Sequence, residues 1–175
     1  QFKSKFGKHY GKLRGKMGIG VISDIKEEQP IKFETKIGSF ALCTIGLVHN
    51  SKELHSELIE KGATFKRSRQ KAGKNILNQT EIVGELISTG ENVVDGIERM
   101  YKKIDGSISM LLLSEDDRAI YVAGDTFPLV VGSKEQSTAV ASETTGFPNL
   151  GYETVKFLDF REIVSIGENG LRERA

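Results

Sequence analysis

The chain has 175 residues, a length typical of one folded domain; 38% of them are hydrophobic and 28% are charged. This composition excludes a collagen-like or wholly disordered chain, and the absence of an apolar run of about 18 residues excludes a transmembrane helix. The net charge of +1 gives no general case for binding nucleic acid or a membrane surface, and we expect neither as a partner.

Strands are predicted first, because apolar residues alternate with polar or small ones in the opening part of the chain. The predicted strands cover residues 18–22, 31–35 and 39–45. Cys43, the single cysteine, lies inside the third strand, so we expect a buried, inert thiol rather than a nucleophile. One cysteine also excludes an internal disulfide and agrees with a reducing, cytoplasmic location.

Helices are predicted in the middle of the chain, where apolar residues recur at helical spacing. One begins at Asn50 or Ser51, either of which can cap it, and a second begins at Thr80. The third covers residues 91–104. Between the first two helices, the basic segment (residues 66–74) contains five Lys and Arg residues and no acid. We interpret it as a mobile, exposed loop rather than a nucleic-acid groove.

The chain returns to strands after Gly106. These strands are predicted at residues 107–113, 119–123, 129–132, 138–142, 154–157 and 162–166. An acidic turn joins the first two of them into a hairpin. Strands, then helices, then strands is the order of an α+β protein, and the continuous apolar runs favour two stacked sheets between helices.

The sequence points to no metal and no cofactor, and we expect neither. The three histidines are His9, His49 and His55, and no further ligand accompanies them at a metal-binding spacing. The glycine-rich segment at residues 15–20 lacks the spacing of a phosphate-binding loop, and no predicted helix follows it.

A resemblance extends these expectations. It is carried by Met17-Gly18-Ile19-Gly20, Glu28-Gln29-Pro30 and the segment 38–42, and it continues at residues 80–82, 124–132 and 141–143. In this order and spacing the chain resembles the class II glutamine amidotransferases, and within them the glutaminase domain of glutamine phosphoribosylpyrophosphate amidotransferase. The resemblance implies the αββα sandwich of N-terminal-nucleophile hydrolases, as a single domain over residues 1–175.

The resemblance also implies a nucleophile that this sequence does not contain at its start. Family members attack the glutamine amide with a cysteine at residue one, whose own α-amine can serve as the base. This sequence begins with Gln1, so we expect the domain to be N-terminally incomplete relative to the family, and we assign no catalytic residue.

Three pocket positions of the family fall on altered residues. The arginine that holds the glutamine carboxylate falls on Ser23, and the aspartate that binds the α-amine falls on Gln79. The asparagine of the oxyanion hole falls on Ile45, beside Gly46, whose backbone N–H remains as the other donor. An alternative alignment places His49-Asn50 on the His-Asn motif, but it requires a deletion before Leu54.

The leading hypothesis is therefore a catalytically degenerate amidotransferase-like domain that serves in binding, regulation or assembly. Its expected partners are glutamine or a related small molecule, and a second copy or a partner subunit. The alternative is an active glutaminase that supplies ammonia to a transferase, with its cysteine-bearing segment outside this chain. A nucleic-acid-binding module, based on the basic segment and on residues 1–16, is the weakest hypothesis.

Overall fold

A six-stranded antiparallel sheet forms the centre of the computed structural model, which describes residues 14–22, 27–71 and 74–173. Its strands, in spatial order, are β1 (Ile31–Thr35), β2 (Gly38–Val48), β5 (Gly106–Ser114), β6 (Ala119–Ala123), β10 (Ile163–Gly167) and β11 (Gly170–Glu173). Every neighbouring pair in this sheet is antiparallel. The antiparallel sheet agrees with the predicted α+β class.

Two smaller sheets accompany the central one. The three-stranded sheet has the order β8 (Ser137–Ala141), β7 (Val130–Lys134) and β9 (Glu153–Phe157). The other is a hairpin of β3 (Arg69–Lys71) and β4 (Lys74–Ile76). The three-stranded sheet packs on the central sheet through an apolar core drawn from both. This inter-sheet core contains Val122, Leu129, Val131, Val164 and Ile166.

The helices lie on the outer faces of the two sheets. Those beside the central sheet are α1 (Ser51–Glu60), α2 (Gln79–Ser88) and α3 (Val93–Lys103). Their apolar faces share one core with the central sheet, which includes Phe40, Leu42, Val48, Ile82, Leu86, Ile97, Met100 and Leu112. The short helix α4 (Gly146–Leu150) packs on the three-stranded sheet, where the Phe147 ring contacts Gly132. The layers are thus helix, sheet, sheet and helix, which is the predicted αββα sandwich.

The described part of the chain contains no helix long and apolar enough to cross a membrane. The central sheet can contribute to two cores, one on each of its faces, because successive residues of a strand point to opposite faces of the sheet. In β2, Phe40, Leu42 and Thr44 face the helices, so that Cys43 and Ile45 face the three-stranded sheet. The strand therefore contributes to both sides of the central sheet.

Two expectations from the sequence are wrong. Residues 18–22 form no strand, because no described strand pairs with them. The basic segment is not a simple loop, since it contains β3, which pairs with β4, a strand that begins at the last residue of the segment. Its first residues are anchored, because the N–H groups of Lys66 and Arg67 donate to the buried Glu81 carboxylate at 2.7 and 3.0 Å.

The helix N-termini follow capping rules, but not at the expected residue. Asn50 precedes α1, and its side chain makes no capping bond; it bonds the carbonyl of Lys103 and the N–H of Asp105 instead. Asn78 and Asn92 do cap α2 and α3, each accepting a backbone N–H at 3.0 Å. The sequence also did not predict the five-residue helix α4 or the last strand, β11.

An ion pair between Arg161 and Asp125 joins two loops at the edge of the inter-sheet region. The Arg161 Nε donates to the Asp125 carboxylate at 3.1 Å, and that carboxylate side chain is only 4% exposed. The Arg161 backbone N–H donates to the Gly124 carbonyl at 2.7 Å, and its guanidinium lies over the Tyr101 ring. A buried carboxylate needs such a partner, because an uncompensated buried charge is strongly destabilising.

We predict that Arg161→Met lowers the free energy of unfolding by about 3 kcal/mol, because it leaves the Asp125 carboxylate buried without its partner. Adding Asp125→Asn should recover part of this loss, since a neutral amide is less costly to bury. Urea denaturation measures both. Lys32→Met, which breaks an exposed pair with Glu34, is the control and should change stability by less than about 0.5 kcal/mol. A double variant no more stable than Arg161→Met would contradict this account.

Candidate functional site

Ile45 lies in β2, opposite Ser109 of β5, on the face that points toward the three-stranded sheet. The residue is 38% exposed, and its side chain lines the cleft between the two sheets. An aliphatic side chain has no hydrogen-bond donor or acceptor. The position predicted to correspond to the family's oxyanion asparagine therefore presents only apolar surface to the cleft.

Gly46 follows at a point where β2 and β5 come unusually close. Its φ is +140°, and a Cβ built on it would lie 1.9 Å from the carbonyl oxygen of Ser107. Only glycine avoids both the strained backbone and this overlap. Gly46 thus sets the spacing of the two strands at the site.

We predict that Gly46→Ala destabilises the fold by about 2–6 kcal/mol, because backbone strain and steric overlap add. Gly18→Ala is the matched control, since a Cβ at Gly18 meets nothing within 4 Å. Thermal unfolding followed by circular dichroism compares the two. Equal melting temperatures for the two variants would show that the close approach at Gly46 is not a constraint.

Gln79 is the first residue of α2, and the fold brings it to the end of β2. Its side-chain oxygen accepts a hydrogen bond from the backbone N–H of Val48 at 2.8 Å. Gln79 therefore contacts β2 two residues after Gly46, whereas the Ile45 side chain faces the three-stranded sheet. Ser23, the fourth predicted position, lies outside the described residues.

The sequence did not assign a role to Gln29, which connects β2 to α2. Its side-chain oxygen accepts the N–H of Thr44 at 2.8 Å and the hydroxyl of Thr80 at 3.3 Å. The two threonine hydroxyls are also 2.6 Å apart. The only sequence signal was the Glu-Gln-Pro segment of the family resemblance, which gives no information on these partners.

Glu27 was also missed, although it lies beside a predicted site residue. One carboxylate oxygen is 3.4 Å from the backbone nitrogen of Gln79 at the start of α2. Burial raises the pKa of Glu27, while backbone hydrogen bonds from Gln79 and Thr80 act in the opposite direction. The helix N-terminus favours a carboxylate there, but the loss of water outweighs this effect.

The raised pKa of Glu27 has a consequence for pH dependence. Its contribution to stability is fully present below the usual pKa of 4.5 and is lost as pH rises through the folded-state value. We predict that the unfolding free energy of Glu27→Gln, minus that of the parent chain, rises as pH increases above 4.5. Denaturant titrations between about pH 3 and 7 measure this difference.

Glu57 is a control residue, because its effect on stability should change with pH in the opposite direction to that of Glu27. Hydrogen bonds from Lys103 and Lys61 lower its pKa to about 2, so its contribution is present above 4.5 and is lost as pH falls toward 2. The same difference for Glu57→Gln should therefore fall as pH rises from 2 to 4.5. A flat profile for Glu27→Gln beside a falling one for Glu57→Gln would contradict the assignment to Glu27.

Cys43 is buried, and the cleft contains no metal-binding cluster from the described residues. The thiol's pKa is raised to about 11 by burial, so it is neutral at physiological pH. A neutral buried thiol is a poor nucleophile. No group of three or more His, Cys, Asp or Glu side chains in the described ranges is arranged to hold a metal ion.

The comparisons with known proteins identify the family. A family model described as a glutamine amidotransferase domain matches residues 16–149. The chain therefore belongs to the glutamine amidotransferase domain family, and its sandwich is that of the N-terminal-nucleophile hydrolases.

Individual relatives agree with this assignment. The chain is 30% identical over 168 residues to the amidophosphoribosyltransferase of Methanothermobacter thermautotrophicus, covering 88% of this chain and 33% of the relative. It is 28% identical over 164 residues to that of Methanocaldococcus jannaschii, with the same coverage. It is also similar to the structure of glutamine phosphoribosylpyrophosphate amidotransferase from B. subtilis, with a TM-score of 0.68 and 25% identity over 84% of this chain and 31% of that one. The chain thus spans about a third of the length of these relatives.

Proposed function

We propose that this glutamine amidotransferase domain no longer binds or hydrolyses glutamine at the family's site, and that it serves instead in binding, regulation or assembly. The observation that carries the proposal is the hydrocarbon side chain of Ile45, partly exposed to the cleft beside Gly46. The family resemblance places an amide donor there, aimed at the oxyanion. Losing one such donor typically costs about 2.7–4 kcal/mol of transition-state stabilisation.

The engagement of Gln79 supports the same conclusion. A carboxylate at this position would attract the α-amine of a free amino acid, whereas the Gln79 amide is neutral. Its oxygen already accepts the N–H of Val48 at 2.8 Å, so it is used to hold α2 against β2. The residue therefore has a structural role in place of an electrostatic one.

Ser23 adds a third substitution from the sequence alone. A hydroxyl cannot form the bidentate ion pair that an arginine forms with a carboxylate. The local framework is intact at the same time: Gly46 lies close to β5, and Gln29 and Asn78 hold the start of α2. An intact framework with altered pocket residues is suited to binding or assembly rather than to glutamine chemistry.

We predict that calorimetric titration with glutamine gives no saturable binding at millimolar concentration. Charge-assisted hydrogen bonds usually contribute about 1.5–3 kcal/mol each, so the loss of two weakens binding by roughly 3–6 kcal/mol. This is a factor of about a hundred or more in affinity. The triple variant Ser23→Arg, Ile45→Asn and Gln79→Asp should regain measurable glutamine binding, because it restores all three groups.

A saturable millimolar isotherm for the unaltered chain would contradict the proposal if it disappears in Ile45→Phe. The larger side chain would block the cleft, so its effect would place glutamine at the predicted site. That result would favour the alternative, an active glutaminase that supplies ammonia to a transferase. If Ile45→Phe leaves the isotherm unchanged, glutamine binds at another surface. That result agrees with the proposal that glutamine does not bind at the family's site.

A further inference from the structure

A cavity of about 270 Å³, open to solvent at Ile22 and Ser142, lies between the central and three-stranded sheets. It is bordered by residues 20–22, by β2 and β5 on one side, and by β8 on the other. Its apolar lining is provided by Val21, Cys43, Ile45, Leu111, Leu129 and Val140. Because Leu42 and Thr44 face the helices, Cys43 and Ile45 point toward this cavity.

The polar side chains in the buried part of the lining, Thr44 and Ser109, already form hydrogen bonds within the protein. The Ser109 hydroxyl donates to the Phe127 carbonyl at 2.7 Å and accepts the N–H of Asp125 at 3.1 Å. The Thr44 N–H donates to Gln29, and its hydroxyl bonds that of Thr80. Ser142 lies at the exposed rim. A charged ligand would therefore find no ionic partner among these residues.

We propose that this cavity binds a small, uncharged, apolar molecule about the size of one or two aromatic rings. An apolar protein cavity of about 150 Å³ is large enough for benzene, and this cavity is larger. Burying a charge there without a partner would be costly, whereas an apolar molecule gains by leaving water. The inference rests on the proposed function at one point, since Ile45 lines the cavity and is also the residue assigned to the family's oxyanion asparagine.

The experiment compares three molecules of one shape on the full chain. Toluene, benzylamine and benzoate share a ring but differ in charge. In titrations followed by ¹⁵N–¹H NMR, toluene should shift the amide signals of residues 43, 45, 111 and 140 to saturation. The two charged compounds should bind about tenfold more weakly or not at all. Equal affinity for the three compounds, or shifts confined to other residues, would overturn the proposal.

Two substitutions at one position provide the matched control. Cys43→Leu places extra methyl groups in the cavity and should weaken toluene binding by about tenfold or more, whereas Cys43→Ala leaves the space open and should retain it. Circular dichroism verifies that each variant folds; if Cys43→Leu does not, Val140→Phe fills the cavity from β8. Toluene binding that is unchanged in a folded, filled variant would contradict the assignment.

A glutamine titration separates this inference from the proposed function. Toluene binding without glutamine binding supports both. Glutamine binding that Ile45→Phe abolishes, with no toluene binding, overturns both. Toluene binding together with glutamine binding that Ile45→Phe abolishes keeps the cavity inference and rejects the loss of the glutamine site. The absence of binding by either molecule rejects the cavity inference alone.

Discussion

The ladder between β2 and β5 runs for nine residue pairs, from Phe40 opposite Ser114 to Val48 opposite Gly106. Its close end depends on two glycines. Gly46 and Gly106 both have φ of +140°, and a Cβ on either would lie about 2 Å from a carbonyl oxygen of the other strand. This approach fixes the register, and the register decides which side chains of β2 face the helices and which face the cleft.

The candidate site depends on that ladder because its residues are attached to it. Gln79 bonds the N–H of Val48, and Gln29 bonds both the N–H of Thr44 and the hydroxyl of Thr80, so the start of α2 is held against β2 at two points. Ile45 lies between these points and faces the opposite side. The same framework that would position a glutamine-binding pocket here positions an aliphatic side chain and a neutral amide. The proposed change in chemistry therefore does not require a change in fold.

The inter-sheet cavity also depends on β2, because residues on the apolar face of this strand line it. Cys43 and Ile45 are two residues apart and share one face, so a change at either affects the space between the sheets. The neutral thiol and the aliphatic chain make that space apolar. The proposed apolar ligand and the proposed loss of glutamine chemistry thus rest on the same residues, those that β2 places on its inner face.

Alternation and helical spacing predicted most of the regular elements, because the apolar residues of β2, β5 and α3 meet the core at the expected period. The prediction failed at residues 18–22, where apolar residues alternate as in a strand but no described strand pairs with the segment. The roles of Gln29 and Glu27 were not predictable, because their partners lie 15 to 52 residues away. The Arg161–Asp125 pair spans 36 residues and likewise depends on the finished fold.

The central claim is that the strand end around Gly46 no longer accepts glutamine. The most direct measurement is the amide chemical shift of Gly46 and Val48 in a ¹⁵N–¹H spectrum as glutamine is added to the chain. The account predicts that both signals stay unchanged up to about 10 mM glutamine, because it assigns Ser23, Ile45 and Gln79 to the positions of the groups that hold glutamine in the family. A saturable shift of both signals at millimolar glutamine would contradict it.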